Sequence, residues 1–401
     1  MNLGEFACRK GAKQGRIWRP NADKREIPIK TALRNLRLVS GLVLLAFVAG
    51  HLANLSIGLH SLAAMEAWRA TLLGPWQMPA GRFLLAGAAL VHALLGLYAM
   101  AMRRSLSMSR TDVAQLLLGV LTPPLLFNHV FLTAVASELA TSYEPSYTQV
   151  LAVYWSLAPA YAFQQLFVVV FVWVHAALGL YSWLVLKPLW RRIGGFVLPL
   201  LFAVPIVALL GFAESGKEVV ERLANDPEWR AGIIENGAHV GRVRAQLDAM
   251  QAGMLAVYGG LVLLAIGVFG ARILRDRLAR VRVGYDEGLV AQGRRGLSIL
   301  ELSRMNEIPH ADVCSGRGRC GTCRVRVDGG AGQLSPRNDI EAHTLARVHA
   351  GSDERLACQA LVLGSGVSVT RMLPAFADAA AARDTQAWTS DEPAGTAEPA
   401  A

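Results

Sequence analysis

Six apolar runs, each long enough to cross a bilayer, divide the first two thirds of the chain. They lie roughly at 38–58, 83–102, 113–137, 161–186, 196–213 and 252–271, and the pattern predicts one helix for each. Between them, 61–80 carries Trp68 and Trp76 in a mixed pattern, which predicts a short helix at the membrane interface. Residues 145–160 predict a second such helix, and 214–250, polar and mixed in charge, a helical pair outside the membrane that serves as a structural cap. Near Leu278 the period changes. Residues 279–285 alternate, the stretch Gly293–Gly296 marks a turn, 297–305 and 338–348 predict short helices, and RVRV at 324–327 and VSVTRML at 367–373 predict strands. The fold class expected is an all-α six-helix transmembrane bundle followed by a small α+β domain. Its divisions are a basic arm at 1–37, a membrane domain at 38–277 with its outer insertion at 214–250, an α+β domain at 278–373 and a disordered tail at 374–401.

Composition supports this division. The chain has 401 residues, 53% of them hydrophobic and 17% charged, too apolar for an ordinary soluble enzyme of this size. A net charge of +10 would point to nucleic acid in a soluble protein. Here the basic residues gather beside apolar runs, so membrane topology accounts for them and no nucleic-acid partner is expected. Residues 1–37 hold ten Lys or Arg, 103–112 and 187–195 hold three each, and Arg272, Arg275, Arg277, Arg280 and Arg282 follow the sixth run. By contrast, 59–82 holds only Arg69 and Arg82, and 138–160 holds none. The positive-inside rule therefore puts both termini in the cytoplasm. No cleavable signal peptide is expected, because a long polar arm precedes the first run.

The second and fourth runs contain a repeated octapeptide, VHALLGLY at 91–98 and VHAALGLY at 174–181, identical at seven of eight positions. An ionisable residue inside a membrane helix is a functional candidate. Gly96 and Gly179 stand one turn after His92 and His175, on the same helix face, where they leave room for a flat group beside the imidazole. His51 and His129 occur in the first and third runs, with offsets between copies of 78 and 83 residues, the mark of an internal duplication. Counting 1.5 Å per residue from the cytoplasmic charges puts His92 and His175 roughly 16–18 Å deep and His51 and His129 roughly 21–26 Å deep. Diagonal partners at matching depth, His92 with His175 and His51 with His129, predict axial ligation of two b-type haems; if only one binds, the inner pair holds it. The competing reading is four histidines bonded to neighbouring helices, with the glycines there for close packing. Asn54, Asn128, Gln164 and Gln165 can bond either a quinone head or the protein itself, and the sequence assigns them no role.

Four of the five cysteines fall between Cys314 and Cys358, and Cys8 stands apart in the basic arm. Cys314, Cys320 and Cys323 share a glycine-rich loop spaced C-x5-C-x2-C, and Cys358 follows 35 residues later. Three thiolates on one loop and a fourth from elsewhere are the ligand set of a [2Fe–2S] cluster. Gly316, Gly318 and Gly321 allow backbone N–H groups to turn toward the sulfurs. Zinc is the alternative, but its structural sites usually show two short C-x2-C knuckles.

With CSGRGRCGTC and RLACQ on the page, residues 278–373 resemble a β-grasp [2Fe–2S] ferredoxin. The pattern of histidines across helices resembles the dihaem cytochrome b anchors of succinate dehydrogenase and fumarate reductase. The two parts together resemble the N-terminal half of bacterial class III adenylate cyclases, which implies an inner-membrane location. Only 28 residues follow Leu373, rich in Ala, Pro and acidic residues, so cyclase activity is not expected of this chain. The function expected is one-electron transfer between a cytoplasmic cluster and membrane haem, and onward to or from quinone, with a cytoplasmic protein as electron donor or acceptor. The alternative is a redox sensor that regulates a separate effector such as a cyclase. No flavin or nicotinamide motif is present.

Overall fold

A computed structural model describes residues 29–106, 108–187, 189–275 and 280–383. Cys8 and most of the basic arm lie outside the described residues, as do 384–401.

All six apolar runs are helices long and apolar enough to cross a membrane. They are α1 (Ile29–Ile57), α3 (Pro79–Ala101), α4 (Arg110–Val130), α7 (Ala160–Leu184), α8 (Trp190–Asn225) and α9 (Pro227–Arg275). Large apolar side chains face outward along them, among them Phe83, Phe196, Phe202 and Leu263, each at least 70% exposed. Such a surface suits lipid and not water. The expected interfacial helices are α2 (Leu62–Gln77), capped by Ser61, and α6 (Tyr147–Ala152), capped by Ser146.

Three boundaries differ from expectation. The first helix already includes Ile29, so Arg34 and Arg37 belong to α1 and not to a free arm. The stretch 214–250 is no separate insertion. It consists of the adjoining ends of α8 and α9, which run on as continuous helices and meet at Asp226. Ala377 and Ala382, assigned to the tail, are buried against Ala311, Val348 and Leu373, because small side chains there fit between loop and strand end.

Two of the prolines within the spans are compensated by neighbouring helices. Pro124 cannot donate to the carbonyl four residues back, and Val120 O instead accepts from the Tyr258 hydroxyl at 2.7 Å. Pro205 likewise frees Leu201 O, which accepts from Trp173 Nε1 at 2.6 Å. Immediately after His129 the third span widens into a π-helical turn over Phe131–Val135 and then closes as α5 (Ala136–Leu139).

The C-terminal domain is a five-stranded mixed sheet in the order β2-β1-β5-β3-β4. Its strands are β1 (Arg280–Tyr285), β2 (Val290–Arg294), β3 (Arg324–Gly329), β4 (Glu354–Leu356) and β5 (Val367–Arg371). Helices α10 (Ile299–Met305) and α11 (Asp339–Arg347) accompany it. β1 and β5 pair in parallel; the other three pairings are antiparallel. Val283, Ile299, Leu302, Val325, Leu356 and Val362 form its core. β2 and β4 were not expected: one opens into the Gly293–Gly296 turn and the other has three residues, too short for a period to register.

Candidate metal centres

The cysteine loop leaves the end of α10 and returns into β3. Ser315, Gly316, Gly318 and Gly321 all have positive φ, which folds the loop back on itself. At Gly318 a Cβ would come within 2.7 Å of Ile340, and at Gly321 within 2.9 Å of Val348, so both are fixed by close packing as well as by backbone angle. The curl aims main-chain donors at sulfur: Arg319 N lies 3.5 Å from Cys314 Sγ, and Thr322 N lies 3.5 Å from Cys320 Sγ. The Thr322 hydroxyl is 3.0 Å from Cys320 Sγ, and Gln359 Nε2 is 3.5 Å from Cys358 Sγ.

All four cysteines are buried and free. Their sulfurs associate two and two, Cys314 with Cys320 and Cys323 with Cys358. Two adjacent thiol pairs suit a dinuclear centre. The hydrogen bond from Cys320 and the backbone N–H groups of Arg319, Cys320 and Arg317 pull the Cys314 thiol down to about 5, despite burial. The Cys314 partnership and burial push Cys320 up, and the Cys358 partnership and burial push Cys323 up.

The four histidines form the two pairs expected. The rings of His92 and His175 are 6.1 Å apart, centre to centre, at 89°; those of His51 and His129 are 5.9 Å apart at 55°. Every Nδ1 has a partner. His92 Nδ1 is 3.1 Å from Arg37 O and His175 Nδ1 is 3.0 Å from Gln115 O. A carbonyl only accepts, so Nδ1 carries the proton and Nε2 of the neutral ring keeps its lone pair. His51 Nδ1 is 3.3 Å from the Tyr147 hydroxyl, and His129 Nδ1 is 3.3 Å from that of Tyr154.

The duplication holds at this level of detail. Arg37 and Gln115 are 78 residues apart, the offset of His51 and His129. So are Gly41 and Gly119, which touch the inner imidazoles: a Cβ would meet His92 Cε1 at 2.9 Å and His175 Cε1 at 2.7 Å. The glycines singled out from the sequence sit elsewhere. A Cβ on Gly96 would meet nothing within 4 Å, and one on Gly179 would lie 3.1 Å from Gln115 Nε2. Contact with Gly41 also fixes the height of His92. His51 is ten residues farther along the same helix, and His129 is ten beyond Gly119, so the two levels are about 15 Å apart along the helices. The sequence count gave 3–10 Å because it placed Arg37 at the membrane edge; in the fold Arg37 is level with His92.

Two of the four polar residues left without a role bond the backbone. Asn54 donates to Met65 O, and Gln164 donates to Leu125 O while accepting from Asn128, which Gln251 also reaches.

The cysteine loop docks on the end of the bundle nearer His92 and His175. Arg317 Nη2 lies 2.9 Å from Asp112 Oδ1 and 3.3 Å from Gln115 Oε1. Ser109 approaches Ser315 at 3.4 Å, and Ser105 donates to Glu301 at 3.1 Å. Gln115 therefore has its side chain on the cysteine loop and its carbonyl on His175. Burial, with Arg34, Arg317 and Arg37 nearby, pulls the Arg319 guanidinium down to about 10, a sign of crowded positive charge.

Comparison with known proteins bears on the C-terminal domain. Residues 286–363, which include Cys314, Cys320, Cys323 and Cys358, match the family of 2Fe–2S iron–sulfur cluster binding domains. Over 71 residues the chain is 34% identical to chlorosome protein I of Chlorobaculum tepidum, covering 18% of this chain and 29% of that one. The chain thus spans under a third of that relative's length. The crystal structure of the ISC-like [2Fe–2S] ferredoxin FdxB from Pseudomonas putida is 24% identical, covering 25% of this chain and 94% of that one, with a TM-score of 0.21. The domain is a [2Fe–2S] electron-transfer module.

Proposed function

We propose that this protein carries single electrons between its [2Fe–2S] cluster and two b-type haems within the membrane, and onward to or from quinone. The observation that carries the haem reading is the matched geometry of the histidine pairs. Two imidazoles on opposite sides of one metal, each bonded at about 2 Å, put their ring centres ~6 Å apart. Both pairs have that separation, and the inner pair has its protons held on Nδ1 by carbonyls, leaving Nε2 to ligate. The Tyr147 and Tyr154 hydroxyls contact Nδ1 of the outer pair and can accept its proton, which leaves Nε2 free there too. Six-coordinate haem iron supplies a one-electron couple with no position open for oxygen.

The chain's own residues set the order of centres. Cys314, Cys320, Cys323 and Cys358 hold the cluster in a buried loop; Arg317 and Asp112 seat that loop beside the inner pair; the outer pair lies about 15 Å beyond. This sequence favours electron transfer between the two faces of the membrane over a sensor with isolated centres. The anchor-plus-ferredoxin arrangement keeps its likeness to the front of class III cyclases, with the cluster and both termini on the cytoplasmic side of a bacterial inner membrane. A cytoplasmic redox protein and membrane quinone are its partners in this reading.

A pyridine haemochrome spectrum with iron and sulfide counts tests it directly. Two haems and one [2Fe–2S] cluster per chain are expected. His→Ala at any of the four positions should remove about half the haem, and a second change within one pair should remove no more. One haem per chain, untouched by His51→Ala or His129→Ala, would reject the outer site and leave those residues structural.

A further inference from the structure

The junction between cysteine loop and bundle holds more positive charge than its acidic groups balance. Arg34 and Arg37 lie one turn apart on α1, Arg103 follows α3, and Arg317 and Arg319 belong to the loop. Arg37 is within electrostatic reach of Arg34, Arg103, Arg317 and Arg319, and Arg317 is within reach of Arg103 and Arg319. The carboxylates that reach them are Asp112 and Glu301, and the Cys314 sulfur also faces Arg34 and Arg319. Asp112 already accepts from Arg317 and Ser109, and Glu301 from Ser105 and Ser298. A buried cation is costly unless paired. Arg34 is the sharpest case, since its Nε and Nη1 are shielded from solvent and have no hydrogen-bond partner. Arg37 interacts with both His92 and His175, stands one turn before Gly41, and holds His92 Nδ1 with its own carbonyl.

We propose that Arg34 and Arg37, backed by Arg103, form a seat for the two carboxylates of the tetrapyrrole bound between His92 and His175. The inference rests on the haem reading above. Anionic oxygen is the chemistry these guanidiniums recognise. A lipid phosphate shares that chemistry, but the seat lies between the inner imidazoles and the cysteine loop, where the carboxylate edge of a macrocycle held by those imidazoles reaches it. The seat turns that edge toward the cluster and raises the haem's affinity for an electron through fixed positive charge.

The test is a redox titration of the solubilised full-length protein, with the cluster spectrum as the check on folding. Arg34→Gln and Arg37→Gln should each shift the inner haem, the component lost in His92→Ala, about tenfold toward its oxidised form, ~59 mV for one electron. Arg34→Lys should restore most of the shift. Wild-type protein reconstituted with haem whose propionates are esterified should shift the opposite way, since negative charge is lost, and with that haem Arg34→Gln should no longer weaken haem binding, as it does with native haem. An unchanged midpoint in both Gln variants would overturn the seat. So would a loss of haem binding in Arg34→Gln that persists with esterified haem, or a midpoint shift that follows the anionic lipid content of nanodiscs. Wild-type protein that binds no haem would instead sink the haem reading, and the seat with it.

Discussion

At the scale of single residues, the cluster domain makes the firmest predictions. Cys320→Ser should abolish the cluster's visible absorption, while Cys8→Ser should leave it intact; absorption spectra with sulfide counts decide. Stoichiometric zinc without sulfide would refute the ligand assignment. Glu341 is fully buried and receives Arg355 through Nε at 2.8 Å and Nη2 at 3.0 Å, as well as Leu356 N at 2.9 Å. Glu341→Ala strands the Arg355 charge beside the Cys358 segment, and a loss of about 3–5 kcal/mol is expected. Chemical denaturation followed at the cluster should report it, and a loss below ~1 kcal/mol would show that solvent reaches Arg355. His310 gives a pH dependence. Burial, with Arg371 nearby, holds its imidazole down to about 4, so the folded domain keeps it neutral while the unfolded chain protonates it near 6.5. The unfolded state then binds more protons between those values, and stability falls as pH drops from about 6.5 to about 4. His310→Asn should flatten that part of the stability profile relative to wild type.

At the scale of helices and strands, the compensated prolines and the close glycines can be tested. Tyr258→Phe removes the donor to Val120 O and leaves a carbonyl unpaired in an apolar surround, a loss of about 1–3 kcal/mol. A lowered melting temperature of the solubilised protein, with cofactors still bound, is the expected result; an unchanged one would mean another donor replaces it. How much of this was legible in the sequence depends on what fixes each feature. The six helices, the histidine pairing and the cysteine set were readable, because hydropathy runs, an eight-residue repeat and ligand spacing are properties of the chain itself. Gly41 and Gly119 were not, since glycine is common in membrane helices and its meaning depends on which residue of a neighbour stands at the same height. The 78-residue offset applied to Arg37 and Gly41 would have flagged Gln115 and Gly119 as their copies. Tyr147 and Tyr154 were hidden for a similar reason: they come from the outer segment, and only the fold brings them to His51 and His129. The ends of α8 and α9 were read as an insertion because hydropathy marks where a helix leaves lipid and says nothing of where it stops.

At the scale of the whole molecule, the Lys/Arg asymmetry and the docked domain make two claims on the same end of the bundle. A reporter fused after Arg277 should be cytoplasmic and one near Asn225 external; reporters on the same side would require an odd number of spans and overturn the orientation. The second claim concerns Arg317 and Asp112. The Asp112 side chain is 9% exposed and Arg317 27%, so the pair is shielded enough to matter and is the charged link between the cysteine loop and the third span. Electron transfer within a chain depends on holding donor and acceptor close, and this link seats the loop over Gln115, whose carbonyl orients His175. Arg317→Gln or Asp112→Asn should therefore leave the cluster and haem contents unchanged while slowing haem reduction through the cluster at least about tenfold, a change of ~1.4 kcal/mol or more. Because both changes break one contact, the double variant should be no slower than the worse single one. Rapid-mixing absorption at the haem and cluster bands distinguishes the outcomes. Wild-type rates in both single variants would show that the domains stay docked without the pair, and rates that multiply in the double variant would assign the two residues independent roles.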